Sequence, residues 1–275
     1  MKSINKNIYR RLKKIYAQFT GNKRKIYDAF IFYNELDLLE LRLEELTDVV
    51  DYFVLVEATK TFRNNDKPLY FSENKERYKK FLNKIIHIVV DDMPEGIDPW
   101  LREHHQRNCI IRGLTDIREN DLVIISDVDE ILNPEVVGIE GTLQQKWFYY
   151  YFNTQKKNKW TEIAPRCVRG EAILAGRSPQ QIRDASNSPP YIKNGGWHFS
   201  FLGDDVFIAN KIKEFSHLEY DSDEYTNTKN IRSKIESLDD VFSRDGEELI
   251  RVNIDNSFPE YLLNNLDKYS KFILK

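Results

Sequence analysis

The sequence predicts an α/β fold, a mostly parallel sheet flanked by helices that runs into a loop-rich second half. Three observations carry that reading. Short apolar runs recur at residues 29–33, 51–59, 85–90 and 121–130. Stretches with helical spacing of apolar residues separate them, the order expected of βα units. The second run, DYFVLVEAT, is apolar nearly throughout, as a strand covered on both sheet faces must be.

Taken in order, AFIFY (29–33) is a strand bounded by charge. Asn34 is placed to cap the next helix, with Asp37 three residues on. Leu36, Leu39, Leu43 and Leu46 then share one helical face. Residues 72–83 read as a charged helix and IIHIVV (85–90) as the third strand. The stretch 100–118 reads as a helix with Ile110, Leu114 and Ile117 on one face. DLVIISDVDE (121–130) is a fourth strand that runs into acids. Beyond it, KWFYYYFNT (146–154) is aromatic and strand-like. Residues 155–196 carry prolines and glycines typical of loops, a strand is expected near 197–202, and 228–242 and 258–266 read as helices.

The chain has 275 residues, enough for a full core without covalent staples. A net charge of −3 argues against a nucleic-acid partner. Two cysteines, Cys109 and Cys167, cannot make a disulfide framework. With no CxxC pair and no Cys/His cluster in the sequence, a structural zinc site is not expected. No apolar run approaches the ~18 residues of a membrane span, and no signal-peptide core is evident, so a reducing cytoplasm is the expected compartment. Residues 1–25 hold nine basic residues and no acid. Ile4, Ile8, Leu12, Ile15 and Phe19 form an apolar helical face there, and Gly21-Asn22 closes it. This basic leader reads as a helix packed on the body, as a peripheral contact with the inner, anionic face of a membrane, or as a frayed tail.

The sharpest local signal is Asp127-Val128-Asp129-Glu130, directly after the apolar VIIS. In open α/β sheets ligands bind beyond the carboxyl ends of the strands. On an extended segment Asp127 and Asp129 point the same way, making an oxygen site for Mn²⁺ or Mg²⁺. Such an ion takes its remaining ligands from substrate phosphates and water, so a phosphorylated donor is expected with it. Aspartyl-phosphate phosphatases place their acids after the first strand, unlike this chain. Sugar-nucleotide pyrophosphorylases need a glycine- and arginine-rich loop where this chain has Asn34-Glu35-Leu36-Asp37.

Several blocks then occur together: YDAFIFYNELDLLELRLEELTDVVDYFVLVEATKTF (27–62), KPLYF (67–71), IIHIVVDDMP (85–94), Trp100 with Glu103 and Gln106-Arg107-Asn108, IISDVDEI (124–131) and GGWHFS (195–200). In this order they resemble glycosyltransferase family 17. The resemblance implies an A-type glycosyltransferase, Rossmann-like fold, a UDP-sugar donor, Mn²⁺ or Mg²⁺ as cofactor and inversion at the anomeric carbon. It also implies N-acetylglucosamine as the sugar; with a cytoplasmic location, a glycan or lipid-linked glycan is the expected acceptor rather than a secreted protein. On that basis residues 26–275 form one domain, with a nucleotide-sugar half (26–130) and an acceptor half (131–275).

The candidate donor-binding residues are Asn34, Glu35 and Glu57 at strand ends, Arg107 as a phosphate clamp, Asp127, and Trp197 as a stacking face. Gly195 and Gly196 are expected to let backbone approach a ligand closely. His198 and His217 are candidate metal ligands beside Asp127 and Asp129. Asp204 and Asp205 resemble the acidic pair that supplies the base in some A-type transferases. Lys60 and Arg63 could neutralise diphosphate, and Arg166, Arg169, Arg177 and Arg183 stud the loop-rich segment. The rival readings are a nucleotidyltransferase acting on sugar phosphates, and a carbohydrate-binding protein using the aromatic surface of residues 147–152.

Overall fold

The computed structural model describes residues 24–161 and 163–275. Most of the basic leader therefore lies outside the described residues. Its last two residues are tied to the body: Arg24 Nη2 donates to the Gly138 carbonyl at 2.7 Å, and the Lys25 amide to Asp121 Oδ1 at 2.7 Å.

The first half builds βα units as expected. Strands β1 (Ile26–Phe32), β2 (Tyr52–Ala58), β3 (Ile85–Val90) and β4 (Leu122–Asp127) are parallel, in the spatial order β3-β2-β1-β4. Alternate residues of β1 serve opposite faces, because side chains along a strand alternate. Phe30 and Phe32 pack with Leu39, Leu43 and Leu46 of helix α1 (Leu36–Leu46) on one face. Ala29 packs with Val54, Val56, Ile110 and Leu114 on the other. Both faces are thus covered, which accounts for the unbroken apolar character of β2.

Three local expectations change. The N-cap of α1 is Glu35, not Asn34; its carboxylate turns back to accept from the Tyr33 and Asn34 amides at 3.3 and 3.1 Å. Residues 72–83 form no single helix but a short α2 (Tyr70–Glu73) followed by a 3₁₀ segment, Lys75–Phe81. Helix α3 (Pro99–Asn108) is capped by Asp98 and tightens into a 3₁₀ turn, Cys109–Gly113, rather than continuing to 118.

The second half corrects the mostly parallel expectation. After β5 (Glu130–Leu132) come β6 (Gly141–Tyr149), β7 (Thr154–Trp160), β8 (Arg166–Arg169), α4 (Gly170–Leu174) and α5 (Pro179–Asp184). Strand β9 (Tyr191–Ser200), helices α6 (Asp205–Glu214), α7 (Asp223–Thr226) and α8 (Thr228–Ser237), strand β10 (Leu249–Arg251) and α9 (Glu260–Leu263) follow. Strand β8 lies antiparallel to both β4 and β6, β7 is antiparallel to β6 and β10, and β6 runs parallel to β9. The result is one mixed, curled sheet of ten strands flanked by helices. Strand β7, TQKKNKW, is polar and β8 has four residues, so neither shows an apolar period-2 pattern, while β6 and β9 overlap the stretches 146–154 and 197–202 read as strands. Gly195 and Gly196 serve this sheet: a Cβ at Gly196 would lie 2.0 Å from the Ile131 carbonyl oxygen, so β9 packs close against β5 only without one.

Candidate active site

A cavity of about 730 Å³ opens beyond the carboxyl ends of β1 and β4. Its floor is the turn Asp127–Glu130 between β4 and β5, and one buried side chain shapes that turn. Arg42 Nη1 donates to the carbonyls of Asp127, Val128 and Glu130 at 2.8, 3.2 and 2.9 Å. The rest of the guanidinium binds Asp28 at 2.8 and 2.5 Å and Ser126 Oγ at 2.6 Å. Arg42 and Asp28 are both fully buried. The Asp127 amide in turn donates to Glu130 Oε2 at 2.8 Å.

Because the chain turns here instead of running extended, Asp127 and Asp129 face different partners. Asp127 lies between Arg107 Nη2 at 3.0 Å and Arg183 Nη2 at 3.1 Å. Burial disfavours its charge, but the two guanidinium groups outweigh that and hold its pKa far below the usual carboxylate range. Arg183 also clamps the buried Glu130 with two bonds of 2.8 Å. Arg107 reaches Glu103 at 2.9 Å and Gln180 Oε1 at 2.6 Å as well. Asp129 instead meets Lys211 Nζ at 3.1 Å, with His198 Nε2 at 3.6 Å from its other oxygen. Lys211 also pairs with Glu35 at 3.3 Å. Burial works against the ammonium, yet these two carboxylates outweigh it and raise its pKa above the ordinary lysine value.

The strand register brings His198 there: Glu130 pairs with His198 across β5–β9, and Trp147 pairs with it across β6–β9. The His198 ring stacks on Trp147 at 5.7 Å with 7° between planes. Ser200 Oγ joins the two, accepting from Trp147 Nε1 at 2.9 Å and bonded to His198 Nε2 at 2.9 Å. Behind Trp147, the fully buried Lys156 holds its ammonium 3.6 Å from the ring centroid and pairs with Glu247 at 2.8 Å. Burial lowers the pKa of Lys156.

Of the expected site residues, the cavity wall gathers Glu35, Arg107, Asp127, Asp129, His198 and His217. His217, however, bonds Glu219 at 2.7 Å and sets its ring edge-on to Trp100; its contacts are not with the acids after β4. The other assignments change. Glu57 accepts from the Phe71 amide at 2.8 Å and faces His87 Nε2 at 3.1 Å, so it anchors α2 instead of the cavity. Asn34 does not line the cavity, and its buried Oδ1 makes no hydrogen bond. Trp197 faces the opposite side of β9 from His198, donates to the Ser257 carbonyl at 2.8 Å and packs in the core with Phe199 and Phe258. Asp204 caps α6 through the Phe207 amide at 2.8 Å, and Asp205 binds Arg232 at 2.7 Å; neither lines the cavity. Phe148, Tyr150 and Phe152 are buried, so residues 147–152 do not make an exterior carbohydrate-binding surface.

The residues missed were those on elements the sequence did not disclose. Lys211 sits on α6, for which the signals were Asp204 as a cap and Ile208, Ala209 and Ile212 as a buried face. Among the loop arginines, nothing in the spacing singled out Arg183 as the one that reaches the turn.

The donor set bears on the expected cation. Both Asp127 oxygens are engaged by guanidinium groups, so Asp127 is poorly suited as a ligand. Among the described residues, Asp127, Asp129, His198 and His217 do not form a group of three ligand atoms within 4.8 Å of one another. Asp129 remains, with His198 beside it, and His198 Nδ1 is buried without a hydrogen-bond partner. One carboxylate fits Mn²⁺ or Mg²⁺ that arrives with a diphosphate, since these ions keep most of their shell from phosphate and water.

The rat and human proteins named beta-1,4-mannosyl-glycoprotein 4-beta-N-acetylglucosaminyltransferase are each 32% identical to this chain over 116 residues. Those residues are 39% of this chain and 22% of each relative, so the match spans under a quarter of the relatives' length. The mouse protein of the same name is 31% identical over the same length. The profile of glycosyltransferase family 17 matches residues 13–274, nearly the whole sequence, and the chain therefore belongs to glycosyltransferase family 17.

Proposed function

We propose that this chain transfers N-acetylglucosamine from UDP-GlcNAc to a hydroxyl of a glycan or lipid-linked glycan, with inversion, on an A-type transferase fold. The observation that carries the reading is the juxtaposition of Asp129, Lys211 and His198 on the cavity wall next to the Trp147 ring. A nucleotide diphosphate needs cations at its leaving oxygens. Asp129, with His198, would hold Mn²⁺ or Mg²⁺; bound there, the ion supplies charge neutralisation of the departing UDP. Lys211 adds a fixed positive charge, and the Arg107–Asp127–Arg183 cluster fixes the turn that presents Asp129. The acceptor's proton must go to a carboxylate that no cation already holds. Of the cavity acids, Asp184 and Glu214 accept hydrogen bonds from amides among the described residues, of Gln180 at 2.7 Å and Asn65 at 3.1 and 3.3 Å. Either fits that role better than Asp205. Incubation with UDP-GlcNAc, Mn²⁺ and a panel of glycan acceptors should release UDP, faster with the right acceptor. Failure to bind UDP or any UDP-sugar would overturn the reading.

The leader has a separate proposed role. Each Lys or Arg near an anionic bilayer is worth about 1 kcal/mol, so residues 1–25 would dock the protein on an anionic membrane. No helix among the described residues is long and apolar enough to cross one. The full chain is expected to sediment with anionic liposomes at low salt, and a chain beginning at Lys23 is not. Equal sedimentation of the two removes the role.

A further inference from the structure

We propose that Asp92, His105 and Cys109 form a site for one zinc ion, separate from the cavity. A carboxylate oxygen, a ring nitrogen and the thiol sulfur of these three lie within 4.8 Å of one another. None of the three residues lines the cavity. His105 and Cys109 stand four apart where α3 passes into its 3₁₀ turn, so they share a face. Asp92 comes from the other side, two residues beyond the end of β3. The sequence did not announce the group because its third member is remote in the chain and its His-to-Cys spacing matches no zinc motif.

The chemistry of the set selects the ion. A thiolate and an imidazole suit zinc, whereas Mn²⁺ and Mg²⁺ prefer the all-oxygen surroundings of a diphosphate. Zinc bonds of about 2.0–2.3 Å place ligand atoms roughly 3.3–3.7 Å apart; the Asp92–His105 pair already stands at 3.5 Å, and no pair exceeds 4.8 Å, so the group needs to close only slightly. The ligands have reason to close. His105 Nε2 is buried and makes no hydrogen bond, its nearest acid oxygen being Asp92 Oδ1 at 3.5 Å. Asp92 is held by Arg112 at 2.9 and 2.6 Å, but both side chains are exposed, 53% and 38%, and such surface pairs yield readily. The Cys109 thiol gives up its proton to solvent as the sulfur–zinc bond forms. An occupied site ties the end of β3 to the end of α3, the helix that delivers Glu103 and Arg107 to the cavity.

Cobalt(II) reports on such a site without any assay of activity. Titrated into the full-length protein at pH 7.5, it should give a thiolate-to-metal charge-transfer band that saturates at one equivalent and is bleached by zinc. Cys109→Ser and His105→Ala should lose the band, while Cys167→Ser and Asp129→Ala keep it, which separates this site from the donor site. Arg112→Ala, at an exposed position, removes the competitor for Asp92 and should tighten cobalt binding about two- to fivefold. No charge-transfer band in the wild type, a band that survives Cys109→Ser, or unchanged or weaker binding in Arg112→Ala would overturn the site.

Discussion

Arg42→Ala is expected to destabilise the protein by about 3–5 kcal/mol, read as a lower urea midpoint. Asp28 is fully buried and has Arg42 as its ion-pair partner, so truncation strands a carboxylate where water cannot reach it. The same substitution removes the donor shared by the carbonyls of Asp127, Val128 and Glu130. A double variant, Asp28→Leu with Arg42→Met, separates the two costs. It removes the stranded charge, so stability should recover in part, because an apolar pair of similar volume replaces the ion pair. The carbonyls stay unsatisfied, so the turn should remain loose and transferase activity low. Full recovery of activity in the double variant would show that the turn holds its shape without Arg42. A loss below about 1 kcal/mol in Arg42→Ala would show that water reaches Asp28.

Much of this arrangement is legible in the sequence, for reasons that differ by region. Strands β1, β2 and β4 are buried on both faces and the edge strand β3 is half-buried, so their apolar runs stand out against charged surroundings. Strand β3 is read to the residue, 85–90. Position after the fourth strand was enough to mark Asp127 and Asp129, because sheet topology puts ligands at strand ends. Whether the two acids face one ion was not legible. That depends on Arg42, Arg107 and Arg183, which approach from 85, 20 and 56 residues away. Trp197 and His198 show the limit from the other side. Adjacent residues in a strand face opposite ways, so a motif such as GGWHFS cannot place both in one site. The site's aromatic wall is Trp147 instead, which the sequence placed on a strand but not on a face. The acidic pair 204–205 read as chemistry and proved to be the start of a helix, since Asp is also the residue a helix N-terminus favours.

Asp129→Ala is expected to lower kcat by roughly 100-fold or more, and EDTA to do the same to the wild type. The carboxylate is the one acid of the turn not clamped by arginine, and on the proposed reading its loss would leave the donor diphosphate without its bridge to the protein. The variant should fold, because Lys211 keeps Glu35 as a partner at 3.3 Å and no charge is stranded. Lys211→Met tests the other source of positive charge. If the ion carries the leaving group's charge, Lys211→Met should cost far less than Asp129→Ala, and added Mn²⁺ should restore the EDTA-treated wild type. If Lys211 carries it, the order reverses: Lys211→Met loses the larger share and EDTA changes little. Full activity in EDTA together with a 100-fold loss in Lys211→Met would remove the ion from the reaction and give the diphosphate to the ammonium. The two outcomes are distinguishable because the two Asp129 oxygens differ among the described residues: one meets Lys211 at 3.1 Å, and the other has His198 at 3.6 Å, the side on which the proposed cation would enter.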